Sequence, residues 1–268
     1  MNIVTASQKA SPAIQEKAKA TASSLGFFYV ERKKQSLKSM QEKYGAEYIL
    51  VYGSQGPSVY FGPKAEHSFH LSMAQLRILR LQKGEQDHLV QAVKSLMANR
   101  ESSYKLLDAT LGLASDSIVL SYGLGPQWHI TGLEGSLPLW FVSSEGLAQF
   151  EHENPDVTAA LRRIEAIHAR NQDYLKACPD QSYDVVYFDP MFEVPVEASP
   201  QFAPLRGHLV EEAFTEESLR EALRVSRYGV IVKERPFSSI FTKMPPDEMV
   251  GGKYSRITYG VYRKLSHE

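Results

Sequence analysis

Two apolar runs about eighty residues apart each end in an acid followed by a turn, and they constrain the fold more than any other feature. The first is Leu106-Leu107-Asp108-Ala109-Thr110-Leu111-Gly112-Leu113-Ala114-Ser115-Asp116. The second is Asp184-Val185-Val186-Tyr187-Phe188-Asp189-Pro190-Met191-Phe192. Between and beyond them strands and helices alternate. Strand patterns fall at 104–108, 128–134, 164–168, 183–188 and 229–233, and helical ones at Ser115–Tyr122, Leu137–Phe150 and Glu216–Arg227. Such alternation argues for an α/β fold built on a doubly wound, Rossmann-like parallel sheet. The strand ends of that sheet open onto a ligand crevice. Tyr254–Arg263 alternates as a further strand.

The earlier part of the chain reads as a small α/β domain over residues 1–66, leaving 67–268 for the large one. Ser11-Pro12 opens an alanine-rich helix ending near Gly26, and Ser36 to about Lys43 is helical. Phe27–Val30, Glu47–Tyr52 and Ser58–Phe61 read as strands. Residues 1–45 hold eight Lys/Arg against three acids, a local charge of +5 within a chain whose net charge is −1. That surplus could meet phosphate or simply be solvated surface. The one long irregular stretch, 193–214, exceeds an ordinary connector.

No apolar run reaches the roughly 18–20 residues of a membrane-spanning helix, and the N-terminus lacks an apolar export signal. The single cysteine, Cys178, excludes an intrachain disulfide framework and a cysteine-cage zinc site. A cytoplasmic protein without membrane or metal partner is the expectation.

The first strand-end signal reads as a cofactor turn. Gly112 lets the backbone approach a ligand closely. Glu134, 22 residues further on, ends the next strand where an acid can grip ribose hydroxyls. A dinucleotide site would need three glycines as G-x-G-x-x-G, and this turn has one. Asp108 just before it disfavours a pyrophosphate but suits a cofactor with a cationic amino acid moiety. The turn therefore points to S-adenosylmethionine (SAM). At the third strand end, Asn171 or Asp173 could bond the adenine amino group or cap the next turn. His168 reads as a packed strand residue.

The second signal reads as an acceptor site. Proline holds Asp189 extended, so the Asp189 carboxylate and the Pro190 carbonyl can both accept from an exocyclic amine. Phe192 would supply a face for a flat ring to stack on. Asp189, Pro190 and Phe192 are the candidate catalytic group, working mainly by proximity and orientation.

These residues resemble class I SAM-dependent methyltransferases, whose Asp/Asn-Pro-Pro-Tyr/Phe motif marks enzymes acting on amino nitrogens. More closely, the chain resembles the RsmJ family of 16S ribosomal RNA guanine-N2 methyltransferases and related bacterial homologues. The likeness runs from about residue 69 to 263 and rests on Asp108–Asp116, Glu134, Ile167-His168-Ala169, Tyr187–Phe192 and Val232-Lys233-Glu234-Arg235-Pro236. It implies a seven-stranded sheet. It places Ser115, Asp116, Glu134, Gly135, Arg170, Asn171 and Asp189 at the cofactor. The family turn Gly-Leu-Gly-Arg-Asp is here Gly112-Leu113-Ala114-Ser115-Asp116.

The reading that follows is N-methylation of a guanine in ribosomal RNA or the small ribosomal subunit. Lys233 and Arg235 would contact RNA at the crevice rim, and the basic N-terminal domain would hold phosphate. A small-molecule or protein-amide acceptor, or a non-catalytic cofactor- or RNA-binding module, are the alternatives.

Overall fold

The computed structural model describes residues 2–53, 56–63, 65–71, 73–97, 102–190, 210 and 212–264. The elements in chain order are β1 (Ile3–Ala6), α1 (Pro12–Leu25), β2 (Phe28–Tyr29), α2 (Leu37–Tyr44), β3 (Ile49–Gly53), β4 (Gly56–Gly62) and β5 (Ala65–Ser68), then α3 (Met73–Gln82), α4 (His88–Leu96), β6 (Tyr104–Asp108), α5 (Ser115–Leu124), β7 (Trp128–Glu134), α6 (Leu137–Gln149) and α7 (Pro155–Arg162). There follow β8 (Ile164–His168), α8 (Asn171–Ala177), β9 (Tyr183–Phe188), α9 (Glu216–Val225), β10 (Ser226–Glu234), α10 (Ser239–Lys243), β11 (Glu248–Val250) and β12 (Thr258–Arg263).

One compact unit comprises the described residues of 2–70 and 136–150. Its sheet runs β2-β1-β3-β4-β5, parallel across β2, β1 and β3 and antiparallel beyond. Helix α1 starts as its sequence dictates: Ser11 accepts from the Ile14 amide, Pro12 occupies the first turn, and Gly26 closes the helix at φ 66°. Helix α6 belongs to this unit. Its Phe141 and Val142 pack with Val4, Leu50 and Tyr52, and Lys17 pairs with Glu145 at 2.5 Å. A helix lying between two strands of the large sheet in sequence thus serves the small one. β1 and β5 were not legible: each is four residues long, too short for alternation to show.

The other unit comprises the described residues of 71–135, 151–190 and 210–264. Its seven-stranded sheet has the order β11-β12-β10-β9-β6-β7-β8. The pairs from β10 through β9, β6 and β7 to β8 are parallel, while β12 is antiparallel to both its neighbours. The order reverses beside β6: the chain moves out through β7 and β8, then returns to lay β9 on the other flank. That switch point sets the end of β6 against the end of β9, with Asp108 opposite Tyr187. β9 is buried along its length and β6 at every residue but Lys105, since helices cover the two faces of such a sheet. At the opposite edge Asp184 accepts from the Lys105 amide at 2.7 Å and pairs with Arg227 at 3.0 Å. Gly229 admits β12 alongside β10, because a Cβ there would stand 2.3 Å from the Tyr262 carbonyl oxygen.

Candidate active site

The crevice is built from the ends of four parallel strands. Asp108, the last residue of β6, is 1% exposed. Its carboxylate accepts from Ser117 Oγ at 2.6 Å and from the Thr110 amide at 3.0 Å. Burial nonetheless pushes its carboxyl up to about 7, the Ser117 and Thr110 bonds opposing that rise and the charges of Asp116 and Asp189 adding to it. Thr110 also ties the two signal turns together, its Oγ1 accepting from the Asp189 amide at 2.6 Å.

Gly112 turns the chain at φ 53°, a left-handed conformation that glycine adopts freely. Its amide donates to Glu134 Oε2 at 3.1 Å, joining the first turn to the end of β7. A Cβ on Gly112 would meet nothing nearer than Thr110 O at 3.9 Å, so the turn has an open flank. Ala114, where the family turn has glycine, keeps the left-handed backbone at φ 61°. It tolerates the strain because its methyl is buried and its amide bonds to the Leu111 carbonyl at 2.8 Å. Ser115 then begins α5, half-buried, with Asp116 in the first turn.

Asp116 does not look out into the crevice. Its carboxylate accepts from Tyr187 Oη at 2.7 Å, from Lys233 Nζ at 2.8 Å and from Arg77 of α3. Burial opposes its ionisation, but Lys233 and Arg77 hold it well below the usual carboxylate range. Lys233 reaches from the end of β10 to Asp189 as well, again at 2.8 Å. Burial raises the Asp189 carboxyl to about 6, with Lys233 pulling it down and Asp116 pushing it up. Arg77 also grips Asp87 through two bonds of 2.7 and 2.8 Å. Lys233 is therefore not at the rim: 19% of its side chain is exposed, and both carboxylates claim its ammonium.

The remaining sequence candidates scatter more. Gly135 follows β7 with Val210 close by, 3.2 Å from where a Cβ would stand. Arg170, exposed, donates to Glu212 Oε1 at 2.9 Å, and the Asn171 amide donates to Oε2 of the same carboxylate at 3.0 Å. Asn171 is buried, while Asp173 points outward from the first turn of α8. His168 is exposed, its ring nitrogen 3.1 Å from the Gly135 carbonyl oxygen, because it sits past the last covered position of β8. Pro190 is buried and Arg235 half-buried; Phe192 lies outside the described residues. Sequence reasoning missed Arg77, Thr110, Tyr187 and Glu212 as parts of this site. Only Thr110 and Tyr187 stood within motifs already singled out.

Three carboxylates, Asp87, Asp116 and Asp189, surround two cations, Arg77 and Lys233, and the buried Asp108 lies beside them without a cation of its own among the described residues. The excess of acid suits a ligand bearing positive charge, and the carboxylate of Glu134 on the adjacent strand suits a ribose. That donor set, beside the open flank of Gly112, fits SAM, whose sulfonium is positive and whose amino acid end carries an ammonium beside its carboxylate. No helix among the described residues is long and apolar enough to cross a membrane, and no group of three metal-ligating side chains occurs among them.

Stability should record the buried acid. Asp108 ionises near 4 in an unfolded chain and about 7 here, so the folded state holds its proton more tightly between those values. Its contribution is full below about pH 4 and is lost as pH rises through about 7. Asp108→Asn is expected to flatten the fall in melting temperature between about pH 5 and 8, measured by calorimetry at several pH values.

A seven-stranded sheet with one antiparallel strand beside its edge, and acids closing β6, β7 and β9, defines a class I methyltransferase. Residues 67–264 match the model of the family described as "Putative SAM-dependent methyltransferase", and the chain belongs to that family. It is a SAM-dependent methyltransferase. It is 32% identical over 232 residues to the uncharacterized protein YpiP of Bacillus subtilis, covering 87% of this chain and 88% of that one. It is 28% identical over 166 residues to the ribosomal RNA small subunit methyltransferase J of Pseudomonas aeruginosa, spanning 60% of each. A crystal structure of a SAM-dependent methyltransferase from Neisseria gonorrhoeae shares the fold with a TM-score of 0.64, at 19% identity and covering 100% and 98% of the two chains.

Proposed function

We propose that the chain methylates the exocyclic N2 of a guanine in small-subunit ribosomal RNA. The observation that carries this reading is Asp189: it follows β9 beside Asp108, the last residue of β6, and Thr110 links the two, its hydroxyl accepting from the Asp189 amide and its amide donating to the Asp108 carboxylate. When bound, SAM supplies a sulfonium-activated methyl group, whose C–S bond breaks as the N–C bond forms. Asp189 accepts one amine hydrogen, which aims the nitrogen lone pair at the methyl carbon, and takes up the proton that the new ammonium sheds. The buried Pro190 fixes the turn that aims it. Asp108 faces the ammonium of the amino acid end, and Glu134 the ribose. Ser115, Gly135, Arg170 and Asn171 line the remaining cofactor path as positioning residues, and the outward Asp173 is left out of it. The likeness to the Pseudomonas aeruginosa rRNA enzyme supports RNA as acceptor. So do the exposed lysines of the first unit, Lys9, Lys33, Lys34 and Lys38, which suit phosphate.

Glu134→Gln is expected to weaken SAM binding by about tenfold, since a hydrogen bond to a charged acceptor contributes roughly 1.5–3 kcal/mol against about 0.5–1.5 for the neutral amide that replaces it. Isothermal titration with SAM measures it, and undiminished affinity removes Glu134 from the ribose site.

Tritiated SAM, offered with naked rRNA and with small subunits from a strain lacking the gene, tests the reading as a whole. Label recovered as N2-methylguanosine supports it. A protein that binds SAM yet labels neither acceptor directs the search to a small molecule or a protein amide.

A further inference from the structure

The large sheet divides at its switch point into two flanks with different surfaces. Asp108, Glu134 and Asn171 close β6 and β7 and open α8 on one side. On the other side lie β9, β10, β12 and β11. Past the end of β10 the chain runs Arg235-Pro236-Phe237 before Ser238 caps α10, and Phe237 is 99% exposed. The β10–β12 register sets Glu234 against Thr258. The turn between β11 and β12 therefore emerges at the same edge as the end of β10, the edge on which Asp189 lies. That turn holds Lys253, Tyr254 and Arg256. Tyr254 is 90% exposed, with the Lys253 ammonium 5.6 Å from its ring centroid. Lys253 and Arg256 are exposed and, among the described residues, have no ion-pair partner.

Two bare rings interleaved with unpaired cations do not suit a protein partner's apolar patch, which asks for contiguous apolar neighbours. Here the neighbours are glycine, serine, lysine and arginine. The combination suits unpaired nucleotides, whose bases offer π faces and whose backbone is anionic. Extruding a base from a helix also leaves its neighbours unstacked, and something must take them up. We propose that Phe237, Tyr254, Lys253 and Arg256 form a platform for the unpaired nucleotides flanking the acceptor base, the rings stacking on bases and the cations meeting phosphates. The platform rests on the reading of RNA as acceptor. It adds a specificity: RNA whose target base lies in a loop or an opened helix.

Fluorescence anisotropy of the full chain with a labelled, unstructured RNA oligonucleotide tests it, alongside tritium transfer to rRNA. Phe237→Ala and Tyr254→Ala are each expected to weaken binding about tenfold, while Phe237→Trp and Tyr254→Trp retain it. Lys253→Glu and Arg256→Glu are expected to lower the slope of log K against log salt by about 0.7 for each phosphate no longer neutralised. Melting temperature and SAM affinity should not move in the alanine variants, because both rings are bare. Wild-type protein that labels rRNA while both alanine variants bind as it does overturns the platform alone. Wild-type protein that neither binds nor labels RNA overturns the acceptor reading and the platform with it.

Discussion

Asp189→Ala is expected to lower the rate of methyl transfer by at least about a hundredfold while SAM affinity changes only a few-fold. An oriented hydrogen-bond acceptor and proton acceptor together contribute on the order of 10²–10⁴ to such a step. On the proposed roles, in which Asp189 acts on the reacting nitrogen and Asp108 and Glu134 on the cofactor, the loss should fall on kcat. Its ionisation gives the reaction a pH dependence. With the carboxyl raised to about 6, transfer should climb through about pH 6 as the acceptor form fills, then level off. Single-turnover rates at saturating SAM measure both effects. Full activity in Asp189→Ala would remove it from the chemistry.

Lys233→Met should have the second large effect, and on two observables at once. Its ammonium pairs with Asp116 and Asp189, each at 2.8 Å, in a region from which water is largely excluded. Removing one partner of a buried ion pair typically costs about 3–5 kcal/mol, because the charge left behind is without both water and counterion. Asp116 keeps Arg77 and Tyr187. Asp189 keeps no other cation among the described residues, but its carboxyl can take up a proton, so the loss should sit near the lower end, about 3 kcal/mol by urea unfolding. The same change removes what pulls the Asp189 carboxyl down, so the pH limb of the transfer rate should move above 6. A merely structural lysine would lower stability and leave that limb in place. The double variant with Asp189→Asn should recover part of the lost stability, because the orphaned carboxylate is then gone.

The first candidate turn was legible in the chain because it is local. Asp108 and Gly112 lie within five residues, and a strand followed by a tight turn and a helix start is written in short-range preferences. Glu134 was found by the spacing of one β-α-β unit. Asp189 was found because proline after a β-prone run constrains its own neighbourhood. Arg77 and Lys233 have no such local mark. Arg77 stands 39 residues before Asp116 and Lys233 stands 117 after it, each on an element of ordinary helical or strand pattern. Lys233 read as an RNA contact at the crevice rim, since lysine is usually exposed. In the fold it points into the crevice because β10 pairs with β9 and its end therefore faces α5.

Alternation of apolar runs with helical segments, together with strand-terminal acids, determined an α/β sheet of a SAM-dependent methyltransferase, and the family comparison and the strand order agree. Those features depend on residues within a few turns of each other, so the chain states them in order. Only the tertiary structure decided which acids are held and which are left to act. Asp116 read as a cofactor ligand, yet lies saturated by Arg77, Lys233 and Tyr187. The same holds for α6, which follows β7 in sequence but packs on the small sheet. The physical reason is common to both. Which partner a buried charge or an apolar helix face finds depends on strand order, and strand order comes from the packing of the whole sheet.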